Sequence, residues 1–294
     1  MRFPRFLLLN VLMALAFFVS PSVRAVAAGP GDIADMLVPH KALYDIDLVS
    51  TRSGSQVINI SGKMYYEWRP SCDAWTTDHR FSLVYEYADS PGMRVLSDFS
   101  TYEPFDGKSL DFASRRQRDG ELYQELRGHA EIEPGKAGEA VYSLPEGLSF
   151  DLSPDTLFPM AHTIEMVRQA QQGEKFFSAQ VFDGSDDEGP IEINTFIGEK
   201  VNAMKMIQPS KDVDMTLLNS PAWKVRMAVF PLANDDQTSS DYEMSMIFHD
   251  NGVISDMLIE YDDFSVTQKL VALERLPEDK SCAHKADKVR SRVR

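Results

Sequence analysis

The chain has 294 residues, of which 43% are apolar, 26% charged and 10% aromatic, with 16 Gly and 16 Pro. These are globular proportions, and they exclude collagenous, disordered and polytopic membrane classes. Lys and Arg number 30 against 45 Asp and Glu, a formal charge of −15; loss of Arg2, Arg5 and Arg24 with a cleaved leader leaves 27 against 45, or −18. At long range such a balance repels nucleic acid and anionic lipid, and no basic patch interrupts it before the last dozen residues.

The first residues read as an export signal. Arg2 and Arg5 supply positive charge, residues 6–19 are apolar apart from Asn10, and small residues lead to Ala25-Val26-Ala27. This predicts a signal peptide over 1–27. Its apolar core of 14 residues is shorter than the roughly 17–25 a membrane-spanning helix needs. No later stretch is long and apolar enough to span either, so an exported, periplasmic protein that is not integral to the membrane is expected. Cys72 and Cys282 are the only cysteines, an even number that in an oxidising compartment predicts one disulfide. It closes a loop of 211 residues, worth roughly 5 kcal/mol in the chain-entropy account. Two buried thiols or an intermolecular pair are the alternatives.

Strand patterns then follow almost without interruption. Residues 41–49 place Ala42, Tyr44, Ile46 and Leu48 on one parity, and 57–68 repeat the alternation. Further strands are predicted at 75–87, 93–102, 110–118, 122–132 and 137–143, separated by turn signals at Ser90-Pro91-Gly92, Pro104 to Gly107 and Asp119-Gly120. Pro159 to Gln172 carries a helical pattern with Pro in the first turn and Gly173 as its stop. Leu157 and Phe158 are expected to insert into the core. Strands resume at 175–182, 191–200, 223–230, 241–249, 253–261 and 264–274, with Asn251-Gly252 as a hairpin turn. A polar, basic tail from about 284 to 294 is expected to be disordered. No linker or repeat divides the chain, so one domain over 38–283 is favoured: an all-β, mainly antiparallel sheet with one main helix near 159–172.

The order of landmarks resembles the EipB-like family of envelope integrity proteins, a domain of unknown function. The residues that carry the likeness are His40 to Leu48, Tyr66-Glu67-Trp68 with Cys72 to Trp75, Phe158 to His162, Val181 to Ser185, Trp223 to Phe230, Asn251-Gly252-Val253, Ile259 to Ser265, and Cys282. The resemblance implies a β-spiral, a long bent antiparallel sheet curled on itself, with an internal disulfide and a role in maintaining the cell envelope. It implies no reaction. Residues 200–222 match nothing recognisable.

Candidate chemistry is sparse. Asp183, Ser185 and Asp187 have the spacing of the first half of a calcium loop, but Asn194 stands where a bidentate Glu is needed; the competing reading is an acidic, solvated hairpin tip. Six histidines occur singly, without zinc spacing. No nucleophile elbow, P-loop or dinucleotide fingerprint is present, so neither a cofactor nor catalysis is expected. Tyr66, Trp68, Trp75, Tyr85 and Trp223 are candidates to line a concave interior that takes a lipid or lipoprotein segment, or else they are simply core. The expected function is non-catalytic maintenance of the envelope by binding or scaffolding, with envelope components or periplasmic proteins as partners. A lipid or lipoprotein carrier is the rival, and an uncharacterised hydrolase the third reading.

Overall fold

The computed structural model describes residues 33–133, 135–207, 210–232 and 239–277. The expected signal peptide, Cys282 and the tail from 284 lie outside them. Fourteen strands form one antiparallel sheet: β1 (His40–Thr51), β2 (Val57–Pro70), β3 (Ala74–Tyr87), β4 (Met93–Pro104), β5 (Ser109–Arg118), β6 (Glu121–Glu131), β7 (Gly138–Leu144), β8 (Ser149–Leu152), β9 (Phe176–Val181), β10 (Ile191–Val201), β11 (Ala222–Pro231), β12 (Tyr242–His249), β13 (Ile254–Tyr261) and β14 (Phe264–Arg275). Their spatial order is β8 down to β1, then β14 down to β9. The first and last strands therefore pair in the middle of the sheet, and its two edges, β8 and β9, are joined in sequence through the helix α1 (Pro159–Gln172). The sheet curls without closing.

Strand alternation decides what faces inward. In β1, His40, Ala42, Tyr44 and Ile46 are buried while Lys41, Leu43 and Asp45 are half-buried. The register carries this parity across the sheet, aligning His40 with Trp68 on one side and Arg275 on the other. The main core gathers the inner faces of β1, β2 and β9 to β14 with Met160, Met166, Val167 and Ala170 of α1. A second core lies under β5 to β8, where Leu110, Phe112, Leu126 and Tyr142 meet Phe158 and Phe182. The expected insertion of Phe158 is thus seen; Leu157 is half-buried and pairs with Val181 beside β9.

One end of the spiral is stoppered. The helix crosses it, with Ile33 and Leu37 in the same core and Gln171 Nε2 donating to Met36 Sδ. Phe158, at the N-cap position, offers no side-chain cap. The first amides of α1 instead find Glu103 of β4, whose two oxygens accept the N–H groups of Met160 (2.8 Å) and Ala161 (2.9 Å). Gly173, at φ 80°, ends the helix through the left-handed turn that Gly adopts without strain.

One strand departs from the expectations, and one stretch for which there was none takes shape. Strand β8 was not predicted; four residues after a turn carry too little alternation to register. The described residues of 200–222 hold two short 3-10 turns, with Leu217 and Leu218 buried and Val213 bridging to Leu273 on β14.

Candidate functional site

The stoppered end holds a buried polar nest. His40 Nδ1 lies 2.7 Å from the Val38 carbonyl and 3.0 Å from Trp68 Nε1. One nitrogen cannot donate to the carbonyl and accept from the indole at once, so the tautomer selects between these contacts. Across the nest, His249 contacts Ser220 Oγ through Nδ1 (3.2 Å) and Ser255 Oγ through Nε2 (2.9 Å). Burial holds both rings near a pKa of about 4, so they are neutral at neutral pH. Both ring nitrogens of His249 are engaged by serines, and the ring is fully buried. The nest joins β1 to β2 through His40 and Trp68, and β12 to β13 and to the turn before β11 through His249.

Toward the opposite end the inward residues loosen. Phe81, Leu83 and Tyr85 of β3, and Val95, Ser97 and Phe99 of β4, are only half-buried. Aromatic rings border this mouth: Tyr85 stacks on Tyr87 (6.4 Å) and meets Phe264 edge-on (6.4 Å). Phe264 lies 4.8 Å from Tyr261, which lies 5.7 Å from Tyr242. Burial pushes the Tyr85 hydroxyl up to about 12, so it stays protonated and can donate a hydrogen bond.

The segment after β9 folds over the second core beside the mouth. Arg116 donates to the Ser185 carbonyl (2.9 Å), the Tyr142 hydroxyl to the Asp186 carbonyl (2.7 Å), and Gln124 Nε2 to Asp187 Oδ1 (2.9 Å). Gly184 sits at φ +70°, and a Cβ there would lie 2.3 Å from the Phe112 ring. Residues 183–189 are the loop of the β9–β10 hairpin, as expected of an acidic hairpin tip, and Asp187 and Glu188 are exposed; the rest of the loop is a strap seated on β5 to β8, with Gly184 buried and Asp183, Ser185 and Asp186 half-buried. Of the candidate cation ligands, Asp183 accepts the Ser185 N–H through Oδ1 (2.8 Å) and Asp187 accepts from Gln124 Nε2 through Oδ1 (2.9 Å). Among the described residues no group of three His, Cys, Asp or Glu side chains could hold a metal. Burial raises Asp186 to about 6.

The candidate lining residues separate. Tyr85 stands at the mouth. Tyr66 packs edge-on to His79 (4.6 Å), Trp68 to Trp75 (5.3 Å), and Trp75 to Phe105 (4.8 Å). Trp223 joins the main core, with the Lys200 ammonium 5.4 Å from its ring centroid. Cys72 lies in the turn between β2 and β3 at the stoppered end. His162, read as packed or capping, packs 5.7 Å from Phe177. Glu103, the actual cap, escaped the sequence because its partner is 57 residues away. The mouth's Tyr242, Tyr261 and Phe264 escaped for the same reason: register alone brings them to Tyr85. On the convex face, a hollow of about 330 Å3 opens over β3 to β6. A second, of about 590 Å3, lies between β1, β14 and the 211–214 loop.

The EipB-like family profile matches residues 32–277, across the whole described sheet. The chain belongs to the EipB-like family. This EipB-like chain is 31% identical over 243 residues to the cell envelope integrity protein EipB of Brucella abortus, covering 81% of the chain and 84% of that protein. It also matches the crystal structure of a beta-barrel-like protein of a domain of unknown function, DUF1849, from Brucella abortus. That match has a TM-score of 0.75 and 29% identity, and spans 82% of the chain and 99% of the solved one. The likeness to a barrel fits a sheet that curls fully yet leaves β8 and β9 unpaired to each other.

Proposed function

We propose that this protein maintains the integrity of the bacterial envelope without catalysis, by binding or scaffolding envelope components in the periplasm after residues 1–27 are removed. The observation that carries the reading is the 31% identity, over most of both chains, to a protein named for that role. The chemistry described above supports a non-catalytic role. Four of the six histidines, His40, His79, His162 and His249, are held neutral by burial. A fifth, His129, is tied between Asp111 and Glu131 on the convex face. Deleting the gene in its own host should raise sensitivity to detergents and cell-wall antibiotics, with recovery on complementation; unchanged sensitivity rejects the reading.

We further propose that Cys72 pairs with Cys282. The register supports it: Arg275, His40 and Trp68 stand side by side on β14, β1 and β2. Cys72 follows Trp68 by four residues and Cys282 follows Arg275 by seven, so both chain segments leave the same end of the sheet two strands apart.

A second reading, a carrier of lipid or lipoprotein, is favoured by the half-buried inward row Phe81, Leu83, Tyr85 and Val95. Mass spectrometry of protein purified without detergent should then find a stoichiometric acyl-bearing ligand. Ligand-free protein removes this reading and leaves the first standing.

A further inference from the structure

The convex face of β3 to β6 carries a hollow whose charges are arranged for a ligand with two opposite ends. Its base is Ser100 and Ala113, paired neighbours on β4 and β5 whose short side chains leave the space open. Around them stand Asp78 and Arg80 on β3, Asp98 on β4, Arg115 on β5, and Glu125 and Arg127 on β6. These residues share the outward parity, because Asp78 aligns with Ser100, Ala113 and Arg127, while Arg80 aligns with Asp98, Arg115 and Glu125. Two of the cations are already matched: Arg80 lies 3.8 Å from Asp98, and Arg127 donates to Glu125 (3.0 Å). Among the described residues, Asp78 and Arg115 have no hydrogen-bond or ion-pair partner. One free carboxylate and one free guanidinium thus face each other diagonally across the small-residue base, two strands apart and offset by two residues along the strands, which sets their backbones about 12 Å from each other. Asp and Arg side chains reaching inward shorten that gap to the span of a dipeptide between its charged ends.

We propose that this hollow binds a short zwitterionic peptide: Arg115 donates paired N–H bonds to its carboxylate, and its ammonium donates to Asp78. The guanidinium fork suits a carboxylate, and hydrogen bonds between ionised groups are the stronger kind. A single amino acid is too short to reach both groups, and a simple anion leaves Asp78 unanswered and repelled. Such a pair of charges occurs at the two ends of a free dipeptide and, as a side-chain ammonium and a C-terminal carboxylate, on the peptides of the bacterial cell wall. The inference names a ligand for the envelope role proposed above, but it rests on the hollow itself, and its test needs no host phenotype.

The test is an amide chemical-shift titration of the full chain with dialanine, beside its N-acetylated and C-amidated forms. Dialanine should perturb Ser100, Ala113 and their neighbours at concentrations up to about 10 mM, the range of weak fragment-sized ligands. Each blocked form should bind about ten-fold less tightly, as should Arg115→Gln and Asp78→Asn with dialanine. In Asp78→Asn the penalty for N-acetylation should vanish, an outcome that general destabilisation does not produce. Ser100→Phe, which fills the hollow from an outward position, should abolish binding at an unchanged melting temperature. Retention on insoluble wall sacculi, lost when an amidase strips their peptides, assigns the ligand to the wall; dialanine binding without such retention assigns it to free peptides. No perturbation by dialanine, or equal binding of all three forms, overturns the proposal.

Discussion

At Gly184 a single missing methyl group decides whether the strap seats. Its φ of +70° disfavours any L side chain, and the Phe112 ring occupies the place a Cβ would take, 2.3 Å away. Phe112 cannot yield freely, because it is buried between Tyr142 (4.9 Å) and Phe182 (5.5 Å). Gly184→Ala should therefore cost about 2–3 kcal/mol, combining backbone strain with overpacking. The loss should appear as a lower denaturant midpoint and as faster amide exchange at Ser185 and Asp186. Wild-type exchange there in the variant counts against a seated strap. Gly189, at φ +94°, makes the same kind of contact with Phe150, 2.7 Å away.

Among the elements, α1 depends on a residue from a distant strand. Glu103 is 1% exposed, and burial pushes its carboxyl up to about 7 although the two helix amides pull the other way. An acid whose folded pKa lies above its unfolded value stabilises fully below the unfolded value, near 4.5, and loses that contribution as pH rises through about 7. Relative to Glu103→Gln, the wild type should lose up to ~3 kcal/mol between those limits. Chemical denaturation of both proteins across pH 4–8 measures the difference, and a flat difference refutes the assignment. Elements of this kind were legible in sequence in proportion to how local their causes are. The helix ends at Pro159 and Gly173 follow from those residues themselves, and most strand limits fall within two residues of their alternation pattern. The short β8, the Glu103 cap and the tyrosine-bordered mouth depend on partners distant in sequence, and a list of amphipathic segments does not say which strand lies beside which. The strap shows the limit differently: Asp183 to Glu188 reads as solvated because four of its six residues are acidic, yet the bonds to Arg116 and Tyr142 are made by its carbonyls.

For the whole molecule, the buried His40, His162 and His249 and the half-buried His79 set the response to acid. Each is lowered from an ordinary 6.5 to about 4 by burial. Their contribution is therefore present above pH 6.5 and is lost as pH falls toward 4. Glu103 and Asp186, and with smaller shifts Asp250, Asp256 and His129, act with the opposite sign; the four large histidine shifts outweigh them, so unfolding takes up protons near pH 5.5. Stability should fall with acid over that interval, and a rise would contradict the neutral rings. The proposed Cys72–Cys282 link has its own measure: Cys72→Ser should lower stability by a few kcal/mol, roughly 2–5, in oxidising buffer only. Equal melting of the two proteins refutes the link. The adjacency of β1 and β14 has a further consequence for synthesis. A ribosome releases β1 first and β14 last, so the middle of the sheet waits for the entire polypeptide; Tyr44, for example, bonds to a carbonyl 210 residues downstream. Such long-separation pairings are slow to form. A circular permutant that joins the old termini and opens between β8 and α1 would turn that seam into a local hairpin, and its refolding should be faster while its final architecture is the same.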